Sequence, residues 1–336
     1  MKVTIVNVAE KANVSITTVS KILNNKADSI SQNTIDRVMR VVEELNYTPN
    51  AIARSMITKK TGTIGLILPD ISNLYFSGMA RGVENIANRQ GYHVIFCNTD
   101  DQQEREKESI QMLREKLVDG IIMVPALSSG IEHIQANMKN LKSYVLVDRV
   151  FNAYKYNMNC VYVDNVAGGY EATKYLIEQG HKKIACITGY IGEDSTKDRL
   201  TGYKNALQEA GIPIDRTIIM EGKYRLSGGE RCAEHLMEYE VDAIFVQNDL
   251  MACGVYRALQ KAGKRIPDDI SVVGYDNVDY SVIMSPTLTT VEQHYCKMGE
   301  TAANNLIHDI EGKAYEPVVL FTPELVIRES VADRRK

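Results

Sequence analysis

The chain has 336 residues, more than one ordinary core holds, and at about 100 to 200 residues per domain it divides into two or three domains. Hydrophobic residues at 44% and charged residues at 24% exclude a disordered or fibrous chain. The formal net charge of −4 hides an asymmetry: residues 1–60 carry nine Lys/Arg against five Asp/Glu, a net +4, while the remainder carries −8. A small basic head therefore precedes an acidic body, and only the head suits a polyanion such as nucleic acid.

The head reads as three short helices. Thr4 can cap a helix over residues 5–12, and Ser15 a second over 16–23, so only three residues connect them. Ser31 opens a third helix in which Ile35, Val38, Met39, Val42 and Leu45 recur on one face, with Val8, Ala9, Ala12, Val19 and Ile22 opposing them. Two helices joined by a tight turn and braced by a third make a helix-turn-helix, whose second helix enters the major groove. That helix shows Ile16, Thr17, Ser20 and Lys21 to solvent. An exposed isoleucine suits a thymine methyl, and Thr17 and Lys21 suit base edges or phosphate. On spacing alone, a small helical bundle with one stray surface isoleucine is the competing reading.

The stretch VTIVNVAEKANVSITTVSKILNN, followed by ELNYTPNAIARSM, resembles the DNA-binding head and hinge of the lactose-repressor (LacI) family of bacterial transcription regulators. The resemblance implies DNA contacts from Thr4, Ser15, Ile16, Thr17, Thr18, Ser20, Lys21, Asn24, Tyr47, Asn50, Ala53, Arg54 and Met56. Two positions depart from the family pattern: Asn13 stands where Gly is usual, a mild change because Asn tolerates the left-handed conformation, and Met56 where Leu is usual. After Pro49, Asn50 can cap a two-turn helix over 51–57, too short to persist alone in water. In the family, paired hinge helices wedge an apolar side chain into the minor groove, and Met56 occupies that position. The competing reading is a flexible linker.

From residue 63 short apolar runs alternate with amphipathic segments. Strands are expected over 64–68, 94–97, 120–124, 145–148, 161–163, 184–188, 243–246 and 272–275, with a last one over 324–327. Helices are expected over 76–90, 104–116, 166–179, 199–210 and 250–262, among others. Such alternation predicts a doubly wound α/β body of two lobes. A weak echo, Arg81 and Gly82 in one half against Arg199 and Gly202 in the other, supports the duplication. The predicted organisation is a head over 1–48, a hinge helix and linker over 49–62, and a body over 63–336. Its first lobe takes about 63–160 and 292–322, its second about 161–291 and 323–336.

Ligands of open α/β sheets bind beyond the carboxyl ends of the strands, where Asn73, Tyr75, Phe76, Asp148, Arg149, Arg199, Tyr224, Asn248, Asp276 and Gln293 fall. Each alone has an ordinary structural reading as packing, an ion pair or a helix cap. The phrases PDISNLYFSGMARGVE, VDGIIMVP, QNDLMACGV and SVVGYDNVDYS are similar to the periplasmic-binding-protein-like effector domain of the same family. The pocket set looks most like that of ribose-binding proteins and ribose-type repressors. Aromatic faces cover the C–H side of a sugar ring while charged and amide groups hold its hydroxyls. Arg149 and Arg199 balance Asp148 and Asp276, which favours a neutral sugar of pentose size or slightly larger; a sugar acid held by Arg225 or Lys197 is the runner-up.

No GxxxxGK[ST], GxGxxG, GxSxG or HExxH motif and no metal-spaced Cys/His cluster occurs, so neither an enzyme nor a cofactor or metal site is expected. The six cysteines lie far apart in apolar segments and read as buried free thiols of a reducing compartment. No run reaches the roughly 18 apolar residues of a membrane span, and Asn7, Glu10 and Lys11 interrupt the opening segment before a signal-peptide core forms. These features argue against an exported sugar-binding protein. The expectation is a cytoplasmic, DNA-binding transcriptional repressor: a homodimer on a palindromic operator, without a tetramer-forming tail, controlled by a small sugar.

Overall fold

The computed structural model of the protein describes residues 3–23, 27, 29–48, 60–139, 141–150 and 153–335. It separates into two units, Met1–Thr61 and Gly62–Lys336.

In the first unit, α1 (Ile5–Ala12), α2 (Ile16–Leu23) and α3 (Gln32–Glu44) enclose Val8, Ala9, Ala12, Val19, Ile22, Val38 and Val41. Local polar groups set the helix starts. Asn7 Oδ1 accepts from the Thr4 backbone N–H at 3.0 Å and from the Thr4 hydroxyl at 2.9 Å, and Ser15 Oγ accepts from the Thr18 N–H at 3.0 Å. Asn13 ends α1 at φ 50°, the left-handed conformation asked of it. One expectation fails: Met39 is 40% exposed, and Val41 takes the core position. The buried stripe of α3 centres on Val38, Val41 and Leu45, which turns Met39 past its edge.

The second unit contains two six-stranded sheets. The first holds β1 (Thr63–Leu68), β2 (His93–Asn98), β3 (Gly120–Met123), β4 (Tyr144–Val147), β5 (Cys160–Val163) and β11 (Val318–Phe321), all parallel, in the order β11-β5-β4-β3-β1-β2. Its helices are α4 (Leu74–Arg89), α5 (Gln103–Glu115), α6 (Ile131–Met138) and α12 (Tyr295–Glu311). The second holds β6 (Ile184–Thr188), β7 (Ile219–Glu221), β8 (Ala243–Val246), β9 (Ser271–Asp276), β10 (Thr289–Glu292) and β12 (Glu324–Val326), in the order β12-β10-β9-β8-β6-β7, with β12 alone antiparallel. Its helices are α7 (Asn165–Glu178), α8 (Asp194–Glu209), α9 (Leu226–Leu236), α10 (Asp249–Lys261) and the short α11 (Tyr280–Ile283).

The chain crosses between the sheets after β5, β10 and β11. This corrects the lobe boundary. Residues 161–163 pair with β4 and β11 and belong to the first lobe, because a parallel strand buried on both faces has the same apolar pattern in either sheet. Helix α8 begins at Asp194, five residues before the expected start. Two cysteines, Cys253 and Cys296, are half-buried rather than buried. The echo between halves has a packing cause: a Cβ at Gly82 would lie 2.1 Å from the Cys296 carbonyl oxygen, and one at Gly202 would lie 2.1 Å from that of Val166. Both glycines let two helices cross at backbone contact, α4 over α12 and α7 over α8.

Candidate functional site

A cavity of about 490 Å³ lies at the carboxyl ends of the strands, walled by both lobes. From the first lobe it takes Asn73, Tyr75 and Phe76 at the start of α4, and Asp148 and Arg149 after β4. From the second come Arg199 on α8, Tyr224 before α9, Asn248 at the start of α10 and Asp276 at the end of β9. Gln293 does not line it. That amide sits behind the wall, donating to Asp276 Oδ1 and accepting from Arg199 Nη2 at 3.2 Å.

The first-lobe wall is built around two rings. Tyr75 and Phe76 meet edge to face with centroids 5.2 Å apart, and the Tyr75 hydroxyl donates to Asp148 Oδ1 at 2.8 Å. The Arg149 guanidinium stands 5.5 Å from the Phe76 centroid and pairs with Asp101. Burial raises the Asp148 carboxyl above its ordinary range, against the pull of Arg149 and Arg199.

The second-lobe wall is built around Arg199. Its Nε donates to Asn165 Oδ1 at 2.7 Å and its Nη1 to the Gln247 carbonyl at 2.6 Å, while the guanidinium lies 3.9 Å from the Tyr275 ring centroid. Burial pushes Asp276 well above the usual carboxylate range although Arg199 opposes it. The Tyr224 hydroxyl donates to Glu193 Oε2 at 3.0 Å, and its ring lies where any Cβ on Gly189 would intrude at 2.0 Å. Asp148, Tyr224 and Asp276 all hold positive φ, at 67°, 55° and 113°. Asp276 is the most strained of the three, since φ 113° lies well outside the left-handed basin that Asp tolerates.

Two residues offer less than their side-chain chemistry suggests. Asn73 Oδ1 accepts from the Tyr75 N–H and Asn248 Oδ1 from the Met251 N–H, so each caps a helix with its carbonyl and presents its NH₂ as a donor. The cavity also takes Arg225, the runner-up's candidate cation, and Asp70, Asp101, Tyr190, Glu193, Ser195, Lys223, Leu226, Ser227 and Leu250, which sequence reasoning did not assign to the pocket wall. Glu193 was the findable one. It is the N-cap of α8, where its Oε2 accepts from the Thr196 N–H at 3.3 Å, and placing that helix start at 199 concealed it. Arg225 lines the exposed rim, whereas Lys197 points to Asp194 at 3.0 Å and lies outside the cavity.

In the head, Ile16 is 48% exposed, and Thr17 and Lys21 are exposed with it on one side of α2. Thr4, Ser15 and Thr18 are engaged in the helix starts, Thr18 through its hydroxyl 2.8 Å from Ser15 Oγ, and Ser20 and Tyr47 are partly buried. Asn24, Asn50, Ala53, Arg54, Met56 and the helix expected over 51–57 lie outside the described residues. Among the described residues no helix is long and apolar enough to cross a membrane.

Residues 61–329 match the family described as periplasmic binding proteins and sugar binding domain of LacI family, and residues 4–50 match the bacterial regulatory proteins, lacI family. The chain is 39% identical over 331 residues to the HTH-type transcriptional repressor PurR of Vibrio atlanticus (strain LGP32), covering 98% of each chain. It superposes on the lac repressor dimer bound to operator and the anti-inducer ONPF with a TM-score of 0.87 at 26% identity, covering 99% of this chain and 100% of that one. A LacI family transcriptional regulator from Enterococcus faecium with bound ribose gives a TM-score of 0.73 at 31% identity, over 81% of this chain and all of the other. With a helix-turn-helix head and a two-lobed effector-type body both matched along their length, the chain belongs to the LacI family of bacterial transcriptional regulators and is not an enzyme.

Proposed function

We propose that the protein represses transcription as a homodimer on a palindromic operator, and that a neutral sugar of pentose size or slightly larger, bound between the lobes, controls it. The cavity carries this reading: Tyr75, Phe76 and Tyr224 offer ring faces, while Asn73, Asn248, Arg199 and the carboxyls of Asp148 and Asp276 offer donors and acceptors for hydroxyls. A ligand touching both lobes favours the closed cleft and shifts the lobe geometry. The repressor and operator-bound relatives and the ribose-bound structure support the same reading.

For DNA, the exposed Ile16, Thr17 and Lys21 of α2 are the proposed base-reading side chains, with Met56 entering the minor groove. Operator affinity should fall steeply with salt as phosphate contacts release counterions. An Ile16→Ala, Lys21→Ala double variant that kept full preference for its operator over random duplex would overturn the head assignment. For dimerisation, β2 ends its sheet with Phe96 46% exposed, an apolar edge that suits a second copy. Calorimetry over a sugar panel tests the effector, with ribose first. Arg225 at the rim favours a carboxylated or phosphorylated sugar as the second reading.

A further inference from the structure

Three buried carboxylates face the cavity, and they are not equivalent. Asp148 and Asp276 are both raised by burial, toward the protonated form in which a carboxyl can donate as well as accept. Glu193 is held the other way. It is 3% exposed, yet Arg149 and the surrounding hydroxyls outweigh its burial and keep it below the usual glutamate range. Its Oε2 accepts from the Thr196 hydroxyl at 2.8 Å and the Tyr224 hydroxyl at 3.0 Å, and its Oε1 accepts from Ser195. From the second lobe, Oε1 also faces Arg149 Nε of the first lobe at 3.8 Å.

Arg149 is thereby neutralised twice, by Asp101 of its own lobe and by Glu193 across the cleft. Arg199 is turned onto Asn165, the Gln247 carbonyl and Gln293. The remaining cations of the wall, Lys223 and Arg225, are exposed at the rim, where solvent screens them, and Lys223 faces Glu221 at 3.6 Å. An anionic ligand would meet an ionised buried carboxylate, with Arg149 already ion-paired and three N–H groups of Arg199 already given to neutral acceptors of its own lobe.

We propose that Glu193 is the specificity-determining residue for the charge of the effector: by occupying Arg149 from the opposite lobe it makes the cavity reject carboxylated and phosphorylated sugars and accept neutral ones. This rests on the sugar reading of the cavity and adds the residue that enforces its charge class. The variant Glu193→Gln is isosteric and keeps an acceptor for the Thr196 N–H, and Glu193→Asp keeps the charge.

Calorimetry with ribose, ribonate and ribose 5-phosphate on the full chain tests this. In the wild type, ribose is expected to bind at least tenfold more tightly than either anion. Glu193→Gln should narrow that ratio by tenfold or more by gaining anion affinity, and Glu193→Asp should restore it. An unchanged ratio in Glu193→Gln, or a wild type that prefers either anion, overturns the proposal. If no sugar binds either protein, the sugar reading fails, and thermal shift with inorganic phosphate and acetate decides the charge filter separately. Protection of Glu193→Gln alone supports it, and equal behaviour of the two proteins overturns it.

Discussion

The two lobes share a six-stranded doubly wound plan but give the cavity walls of different character. The first contributes stacking surfaces, Tyr75 and Phe76, with a single hydrogen bond fixing Tyr75 to Asp148. The second contributes a preassembled polar lattice in which Arg199, Asn165, Gln247, Gln293 and Asp276 hold one another. A buried guanidinium is tolerable only when its donors are satisfied, so the lattice exists before any ligand arrives, whereas the stacking wall gains most of its contacts from the ligand. One wall therefore grips and the other covers, and substitutions on the two sides should have unequal effects.

The sharpest contrast comes from Arg199→Ala. It removes the centre of the lattice and leaves three acceptors without their donor, a loss of about 3 to 5 kcal/mol when one partner of a buried charged network is deleted. Sugar binding should become undetectable by calorimetry and the melting temperature should drop. A variant that retained ribose affinity would show that the grip lies elsewhere.

The next effect concerns what anchors the lattice. Asp249 accepts from the Val278 N–H at 3.0 Å and the Thr290 hydroxyl at 2.7 Å, tying α10 to β10 and to the segment after β9. Burial pushes its carboxyl up to about 7. The unfolded chain ionises this group near pH 4 while the folded chain keeps its proton until about 7, so the unfolded state binds fewer protons in that window. Stability from Asp249 is full below about pH 4 and is lost as pH rises through 7, by on the order of a few kcal/mol. Asn can serve the same two partners without titrating. Thermal melts from pH 4 to 8 should show a smaller decline for Asp249→Asn than for the wild type, and parallel curves would remove Asp249 from the account.

The smallest effect lies on the covering wall. Tyr75→Phe keeps the ring and loses one hydrogen bond to a buried carboxyl, about 1 to 3 kcal/mol of stability, while most of the stacking surface survives. Ribose affinity should fall by about tenfold or less. A loss as complete as that of Arg199→Ala would erase the distinction between the walls.

The head was legible almost residue by residue because its determinants are local. Ser15 caps α2 by accepting from the N–H three residues on, Asn13 ends α1 within the same turn, and the apolar period selects the core apart from Met39 and Val41. In the body, nine of the ten expected pocket residues line one cavity, since a residue just after a parallel strand must emerge on the ligand side of the sheet. Most of the exceptions are non-local. Gln293 is spent on Arg199 and Asp276, and Asp70 and Asp101 enter from loops whose direction no periodicity reports; Glu193, a local N-cap, was hidden by the misplaced start of α8.

Sequence alone thus determined the helix starts of the head, the alternation of strand and helix, the two-part charge distribution and nine of the residues that line the cavity, each a consequence of chemistry within a few positions along the chain. Tertiary structure decided which sheet β5 joins, because strands buried on both faces carry the same apolar pattern wherever they pair. It also decided the charge of the site. Arg149 and Glu193 are 44 positions apart in separate lobes, and only the closure of one lobe against the other sets a buried carboxylate beside that guanidinium.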